Sequence, residues 1–511
     1  MVKNMPEQMP VIVFRCDASP HIGTGHVMRC LTLAQKFKER RFHVSFLSTQ
    51  ETLETVRALR ESGFPVHIGN EMSHADWLVV DHYGLDKSYE SAARRWTKNI
   101  MVIDDLADRA HDCDLLMDQT YGRDPSDYKA LVPETCKILA GAQYALLRKD
   151  FSRLRQTLDR DFSKAQRVLI SFGGINPKGA TEYTLSMIRG YKEKSLDIDV
   201  VTGAGALSLL SVKDAVAAIE NDGFHKITLH LDTPHIANLM VQADLCIGAA
   251  GATSWERCCL KLPTIALELA DNQKLVLENL EKAGAIYNMG SVDTLKAPDF
   301  LEVFSRLMAP NSETLRQDMG QKAGALCHGQ GTDRVFCLFL KKMAKSGRSV
   351  SLRFADEEDC RTVFEWQTNP QIRKYARNPR APSWEEHQTW FSSSLDHPDR
   401  QLFIVEYDGK AAGVARLDKK DAKERQDIIQ NPTADIYEIS IFIAPDLQGQ
   451  GIAAATLSLL RAYEPEAPLI AEILPDNKAS HTLFRRAGFT SVNTSWYISN
   501  PCTVEKGTCH A

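Results

Sequence analysis

A histidine set behind two glycines, at a strand-to-helix turn, is the first place in this chain where residue types and spacing could do chemistry. The run Arg15-Cys16-Asp17-Ala18-Ser19-Pro20-His21-Ile22-Gly23-Thr24-Gly25-His26-Val27-Met28-Arg29 follows Val11-Ile12-Val13-Phe14, an apolar stretch that reads as a buried strand. Gly23 and Gly25 let the backbone turn tightly and a ligand come close, and the free amides that open the next helix favour negative charge. The positive end of the helix dipole disfavours an imidazolium at His26, so the ring is expected to stay neutral and act as a base. The plain alternative is a helix-end histidine beside a turn of a kind common in α/β proteins.

Two further turns repeat the pattern. Leu245-Cys246-Ile247 runs into Gly248-Ala249-Ala250-Gly251-Ala252-Thr253-Ser254, followed by Trp255-Glu256. Its helix-start amides suit a diphosphate, and Glu256 is placed to accept hydrogen bonds from ribose hydroxyls; a tight turn capped by Thr253 or Ser254 is the plain reading. After the strand 437–443 comes Gln448-Gly449-Gln450-Gly451-Ile452-Ala453, again bare amides at a helix start and again suited to a pyrophosphate.

The elements that must position these turns fall into three blocks. From 10 to 160, short apolar runs at 44–47, 77–80, 100–103 and 115–117 alternate with helical patterns, which predicts a Rossmann-like domain. From 161 to 345 the grammar repeats: 168–172 leads into Gly173-Gly174, 200–202 into Gly203, and 245–247 into the second glycine turn. Two such halves facing one cleft make a GT-B fold. Residues 313–345 read as helical, with 341–348 as a linker. From 349 to 500 a mixed α/β domain is expected, and 501–511 is a polar tail. The charged segment 418–430 is expected to be a solvated loop or short helix without chemistry.

Length and composition agree. A chain of 511 residues suits about three domains. A hydrophobic share of 43% with 25% charged residues is that of a soluble globular protein. A net charge of −5 provides no basic field for nucleic acid, and no apolar run is long enough to span a membrane, so a cytoplasmic enzyme is expected. The twelve cysteines include no Cys-x-x-Cys pair; Cys246, Cys258 and Cys259 read as core residues, and Cys502 and Cys509 lie in the tail. No metal site is expected: His74, His82 and His111 lack ligand spacing, and Asp104 and Asp105, adjacent at a strand end, point to opposite sides and read as loop caps. His21 reads as a loop residue.

Several of these residues together resemble a known family. Arg15-x-Asp17 with Gly23-Thr24-Gly25-His26-x-x-Arg29, Asp81-His82-Tyr83, Asp104-Asp105, Phe172-Gly173-Gly174, the turn 248–256 and Asp271-Asn272-Gln273 resemble the UDP-sugar hydrolases of pseudaminic acid biosynthesis, relatives of the MurG-type glycosyltransferases. The resemblance covers about 10–340. It implies that His26 handles the attacking water, with Tyr83 and Asn272 in the same site. It implies that Arg15, Asp17, Gly23, Thr24, Gly25, Gly174, Gly251, Thr253, Ser254 and Glu256 bind substrate. The implied reaction is attack of water at the anomeric carbon of UDP-2,4-diacetamido-2,4,6-trideoxy-β-L-altrose, with inversion and loss of UDP.

The third block resembles the GNAT acetyltransferases, through Gln448-Gly449-Gln450-Gly451-Ile452-Ala453 and the run 477–489. That implies acetyl-CoA held by the backbone around Ile443 and by Gln448, Gly449, Gly451 and Ala453, with Asn477 and Ser480 near the pantetheine arm. Phe484 stands where many members carry a tyrosine that protonates the departing thiolate; Ser480 is one substitute. Glu438, on the strand before the pyrophosphate loop, is the candidate base for the acceptor amine. As neighbouring pathway steps the two activities make a bifunctional enzyme that acetylates the 4-amino group of a UDP-linked amino sugar and then removes UDP. A GT-B glycosyltransferase with an appended acetyltransferase and a nucleotide-sugar sensor are the rival readings.

Overall fold

The computed structural model describes residues 10–19, 22–206, 208–395, 397–421, 425, 428 and 435–501. His21, most of 418–430, and the tail beyond 501 with Cys502 and Cys509 lie outside the described residues. The chain divides into two compact units at Thr332/Asp333.

The first unit holds two parallel sheets. One contains β1 (Val11–Cys16), β2 (His43–Ser48), β3 (Val66–Ile68), β4 (Ala75–Asp81), β5 (Thr97–Ile103), β6 (Leu115–Asp118) and β7 (Lys137–Ala140), in the order β3-β2-β1-β4-β5-β6-β7. The other contains β8 (Arg167–Ser171), β9 (Asp197–Thr202), β10 (Lys226–Leu231), β11 (Leu245–Ala249), β12 (Thr264–Glu268) and β13 (Tyr287–Ser291), in the order β10-β9-β8-β11-β12-β13. Apolar runs form these strands because parallel sheets are covered on both faces, and Val13, Phe14, Leu78 and Ile170 are wholly buried. In each sheet the direction of strand progression reverses once, between β1 and β4 and between β8 and β11. Crevices at the carboxyl ends of strands flanking such a reversal are where open α/β sheets bind ligands. The His26 turn follows β1 and the 248–254 turn follows β11, so both sit at reversals. This is the Rossmann-like pair expected of a GT-B fold.

The boundary between the halves differs from the expected one. Ala142, Ala145, Leu147 and Phe151 belong to the core beneath β11 and β12, together with Leu239, Trp255 and Leu277. Arg155, on the helix Lys149–Thr157, donates to the carbonyls of Cys259 at 2.8 Å and Gly324 at 2.9 Å. The chain therefore crosses to the second half soon after β7, because Phe151 finds its apolar surroundings there and not at 160.

In the second unit, β14 (Lys341–Met343), β15 (Ser349–Phe354), β16 (Arg400–Tyr407), β17 (Lys410–Lys420), β18 (Ile436–Ile443), β19 (Leu469–Glu472), β20 (Thr490–Ser491) and β21 (Trp496–Ser499) form one sheet in the order β14-β15-β16-β17-β18-β19-β21-β20. The expected linker 341–348 is thus a hairpin: β14 pairs antiparallel with β15, Lys341 opposite Ser351. Polar composition hid it, since an edge strand exposes most of its side chains. The expected helix 313–345 is two helices, Glu313–Leu326 and Gly331–Cys337, and then this strand. β18 and β19 are parallel but pair only at Tyr437–Leu469 and Glu438–Ile470, and β18 then continues to Ile443 unpaired on that side. The resulting splay opens beside the pyrophosphate turn and the helix Ile452–Tyr463.

Candidate active sites

A cavity of about 560 Å³ lies between the two sheets of the first unit. Its walls include Gly23, Thr24, Gly25, His26 and Tyr83 from the first half and Gly174, Gly251, Thr253, Glu256 and Asn272 from the second. Residues expected from sequence to share a site therefore do share one. The halves approach closely: a Cβ built on Gly174 would lie 3.6 Å from Thr24 Oγ1. Gly23 has φ +93°, a conformation that excludes most side chains.

His26 is the second residue of the helix Gly25–Glu39 and is nearly buried. Its Nδ1 lies 2.5 Å from Asp81 Oδ1, at the end of β4. Arg29, three residues on and hence on the same helix face, donates to Asp81 through Nε at 2.6 Å and Nη2 at 2.7 Å. Burial alone would raise the Asp81 carboxyl, but Arg29 and then His26 hold it well below the usual carboxylate range. An ionised carboxylate only accepts hydrogen bonds, so Nδ1 is the donor in this contact, and Nε2 is the ring nitrogen left for other partners. The 3.3 Å approach of Arg29 Nη2 to the same Nδ1 is then proximity between two donors. Asp81 places a buried negative charge directly beside the ring.

Tyr83 packs edge-on to His26, with ring centroids 4.4 Å apart at 85°. Its hydroxyl accepts from Asn272 Nδ2 at 3.0 Å, a bond that joins the two halves. Burial, and after it the charge of Asp105, pushes the Tyr83 phenol far above its ordinary value, so it remains protonated. Asp105 also accepts from Arg29 Nη1 at 3.1 Å. Arg29 and Asp81 stand in the motifs that carry the resemblance but were given no role at the site, and Asp105, expected to cap a loop, instead lines the cleft and meets Arg29. Asp104 is a loop cap as expected, accepting from the amides of Leu106 and Ala107 at 3.2 and 2.8 Å.

In the other wall, Arg257 braces the glycine turn by donating to Ala249 O at 2.6 Å, Ser254 Oγ at 3.0 Å and Thr253 Oγ1 at 3.1 Å. Thr253 lines the cleft, but Ser254 is buried beneath the turn on Arg257, which corrects its expected place at the ligand. Glu256 reaches the cleft from largely desolvated surroundings, which push its carboxyl up to about 7 against the pull of Arg148 and Arg257. Arg15 and Asp17 do not line the cleft. They are buried against each other, Arg15 Nη1 2.7 Å from Asp17 Oδ1, with Ser48 and Thr49 at the end of β2 also donating to Asp17.

The second unit has its own candidate site. Gly449 and Gly451 have φ +81° and +88°, and Gly451 caps the helix Ile452–Tyr463. Gln448 donates through Nε2 to Ile443 O at 3.2 Å, so it shapes the loop and occupies the carbonyl expected to meet acetyl-CoA. Ala453 is partly exposed one residue into the helix. Asn477 accepts from the Ser480 amide at 3.0 Å, capping the helix Lys478–Arg486, which leaves the Asn477 amide nitrogen and the Ser480 hydroxyl for a ligand. Phe484 is buried against Phe489 and Tyr497. Glu438 is not a free carboxylate: Arg377 bridges it to Glu472.

Residues 349–490 match the family model of the acetyltransferase (GNAT) domain. This stretch is a GNAT acetyltransferase domain. Ahead of the GNAT domain, the UDP-2,4-diacetamido-2,4,6-trideoxy-beta-L-altropyranose hydrolase of Campylobacter jejuni is 27% identical over 289 residues, covering 53% of this chain and 97% of that one. The chain is homologous to that hydrolase over this stretch. An uncharacterized protein of Methanocaldococcus jannaschii is 22% identical over 405 residues, 76% of this chain and 79% of its own. That is more than the first unit holds, so the match runs into the second. The structure of MurG from Acinetobacter baumannii aligns with a TM-score of 0.46 at 17% identity, over 65% of this chain and 99% of that one. The chain thus joins a hydrolase homologue to a GNAT domain.

Proposed function

We propose that the first unit hydrolyses UDP-2,4-diacetamido-2,4,6-trideoxy-β-L-altropyranose to the free sugar and UDP. The observation that carries this reading is His26, fixed by Asp81 through Nδ1, in one wall of a cleft whose other wall is the glycine turn that follows β11. Nε2 takes a proton from water as the water oxygen bonds to the anomeric carbon. The bond from that carbon to the phosphate oxygen breaks, and the electron pair leaves with UDP. A base and a diphosphate held in opposite walls favour attack from the face opposite the leaving group, hence inversion. Asp81 stabilises the imidazolium, and Tyr83, protonated throughout, aligns the ring and spans to Asn272. Gly23, Thr24 and Gly25 let the sugar approach, while Gly174, Gly251, Thr253 and Glu256 hold the nucleotide.

The GNAT domain, in this reading, transfers acetyl from acetyl-CoA to the 4-amino group of the UDP-linked precursor. The amine attacks the thioester carbonyl and CoA leaves as the thiolate, with Ser480 as its proton donor. Glu438 receives the amine proton once Arg377 yields one of its oxygens. Backbone at Gly449, Gly451 and Ala453 cradles the pyrophosphate, and Asn477 meets the pantetheine arm.

Hydrolysis in ¹⁸O-water tests the first activity. The label is expected in the sugar hydroxyl and absent from UDP; label in UDP, or no UDP without an added acceptor, sinks the reading. Thiol release from acetyl-CoA with the 4-amino sugar tests the second.

A further inference from the structure

The Arg15-x-Asp17 motif is left without a ligand by the geometry of the cleft. Asp17 is instead a hub. Its Oδ1 meets Arg15 and accepts from Ser48 Oγ at 3.0 Å and the Thr49 amide at 3.1 Å, while Oδ2 faces His82 Nε2 at 3.3 Å. His82 Nδ1 accepts from the Gly84 amide at 2.9 Å, which leaves the ring proton on Nε2, pointing at Asp17. Arg109 Nη2 holds the His82 carbonyl at 3.2 Å. A Cβ at Gly84 would lie 3.0 Å from His82 Cε1, so any larger residue here presses on the ring.

His82 stands between Asp81 and Tyr83, the two residues that fix His26. β1 and β4 pair with Cys16 opposite Asp81, so Asp17 and His82 lie one step past the last rung, where no ladder bond holds the backbone. Successive side chains at a strand end leave on opposite sides. A ring held against Asp17 on one side therefore sets where Asp81 and Tyr83 go on the other.

We propose that Arg15-x-Asp17 anchors the 81–84 turn, with Asp17 and His82 as positioning residues that keep Asp81 and Tyr83 in register with His26. The proposal rests on the reading of His26 as the residue that handles water. An anchor of this kind governs turnover and leaves nucleotide affinity alone, since the nucleotide is held in the other half and small displacements of a base cost rate.

Three variants separate the possibilities. Asp17→Asn removes the charge, His82→Asn is too short to reach Asp17, and His82→Gln keeps a donor for it. UDP release from the UDP-sugar, UDP affinity by calorimetry and melting temperature are measured for each. Asp17→Asn and His82→Asn are expected to lower kcat by about 10- to 100-fold, with UDP affinity within about twofold of the parent. His82→Gln recovers most of the rate, and the double variant Asp17→Asn/His82→Asn is no worse than the poorer single. If Asp17→Asn does not fold, Arg15→Lys, which keeps the charge but loses the arm to Asn70, is expected to show the same split in weaker form. A tenfold loss of UDP affinity with kcat intact overturns the proposal, as does unchanged kcat in all variants or equal loss in His82→Gln and His82→Asn. His26→Ala is run alongside: turnover surviving there overturns the reading of His26, whereas turnover lost there but intact in the anchor variants overturns only the anchor.

Discussion

Nδ1 of His26 and Oδ1 of Asp81, 55 positions apart in the chain, meet at 2.5 Å in the interior of the first unit. The contact fixes the tautomer of the ring, and Arg29 fixes the carboxylate with two bonds of its own. Asp81→Asn keeps the shape but loses the charge, so hydrolysis is expected to fall by about 10²-fold or more while UDP affinity holds. Single-turnover release of UDP checks the rate, and titration calorimetry checks the binding.

The same substitution has a pH signature in stability. Both Asp81 and Asp17 are buried, yet Arg29 with His26 holds the first, and a hydrogen bond from His82 together with Arg15 holds the second, well below the usual carboxylate range. A depressed carboxylate stabilises the fold above its unfolded pKa of about 3.9, and that contribution is lost as pH falls towards the folded value. Removing the Asp81 charge leaves the buried Arg29 guanidinium with Asp105 as its remaining carboxylate, a loss at pH 7 smaller than the roughly 3–5 kcal/mol of a fully unpaired buried charge. Urea unfolding at pH 7 and pH 3 is expected to show the gap between parent and Asp81→Asn narrowing at the lower pH.

Burial raises the Glu256 carboxyl to about 7, so under the proposed role at the ribose, UDP binding is expected to be proton-linked. Ribose hydroxyls donate best to the ionised carboxylate, so occupancy lowers the pKa and expels protons at pH 7. Calorimetry in buffers of different ionisation enthalpy is expected to detect release of part of a proton per UDP, and none in Glu256→Gln.

Across the cleft, the 3.0 Å bond between Asn272 and Tyr83 is partly solvated, and its worth is modest. Tyr83→Phe and Asn272→Ala are each expected to reduce kcat/KM by about tenfold, with a coupling of about 0.5–1.5 kcal/mol in the double-mutant cycle. A coupling of zero means that the two residues act apart.

In the GNAT domain, two glycines of the pyrophosphate turn differ in what surrounds them. A Cβ at Gly451 would lie 2.8 Å from the Lys345 backbone nitrogen, whereas nothing lies within 4 Å at Gly449. Both have positive φ, so each substitution to alanine costs about 1–2 kcal/mol of backbone strain, and only Gly451→Ala adds a clash. Acetyl-CoA affinity is expected to fall at least tenfold further for Gly451→Ala, with UDP-sugar hydrolysis unchanged in both.

Sequence alone determined the buried strands and the glycine turns of this protein, though not the hairpin at 341–351, whose edge strand is too polar to read as one. Buried parallel strands read as apolar runs, glycines mark places where the backbone bends back or meets a ligand, and both follow from local chemistry that residues carry with them. The two Rossmann-like halves were therefore legible, whereas the meeting of His26, Tyr83 and Asn272 and the GNAT reading came from motif resemblance. Partnership was decided only in three dimensions. The residue under His26 had to be found across a sheet, Ser254 was taken by an arginine one turn along its own helix, and Glu438 was met by Arg377 from outside the sheet. Arg15 and Asp17 stand just before the His26 turn in the chain, yet neither lines the cleft. Beyond the last rung of a strand, the side chosen by a side chain depends on distant groups able to satisfy its charge, and linear order does not record which those are.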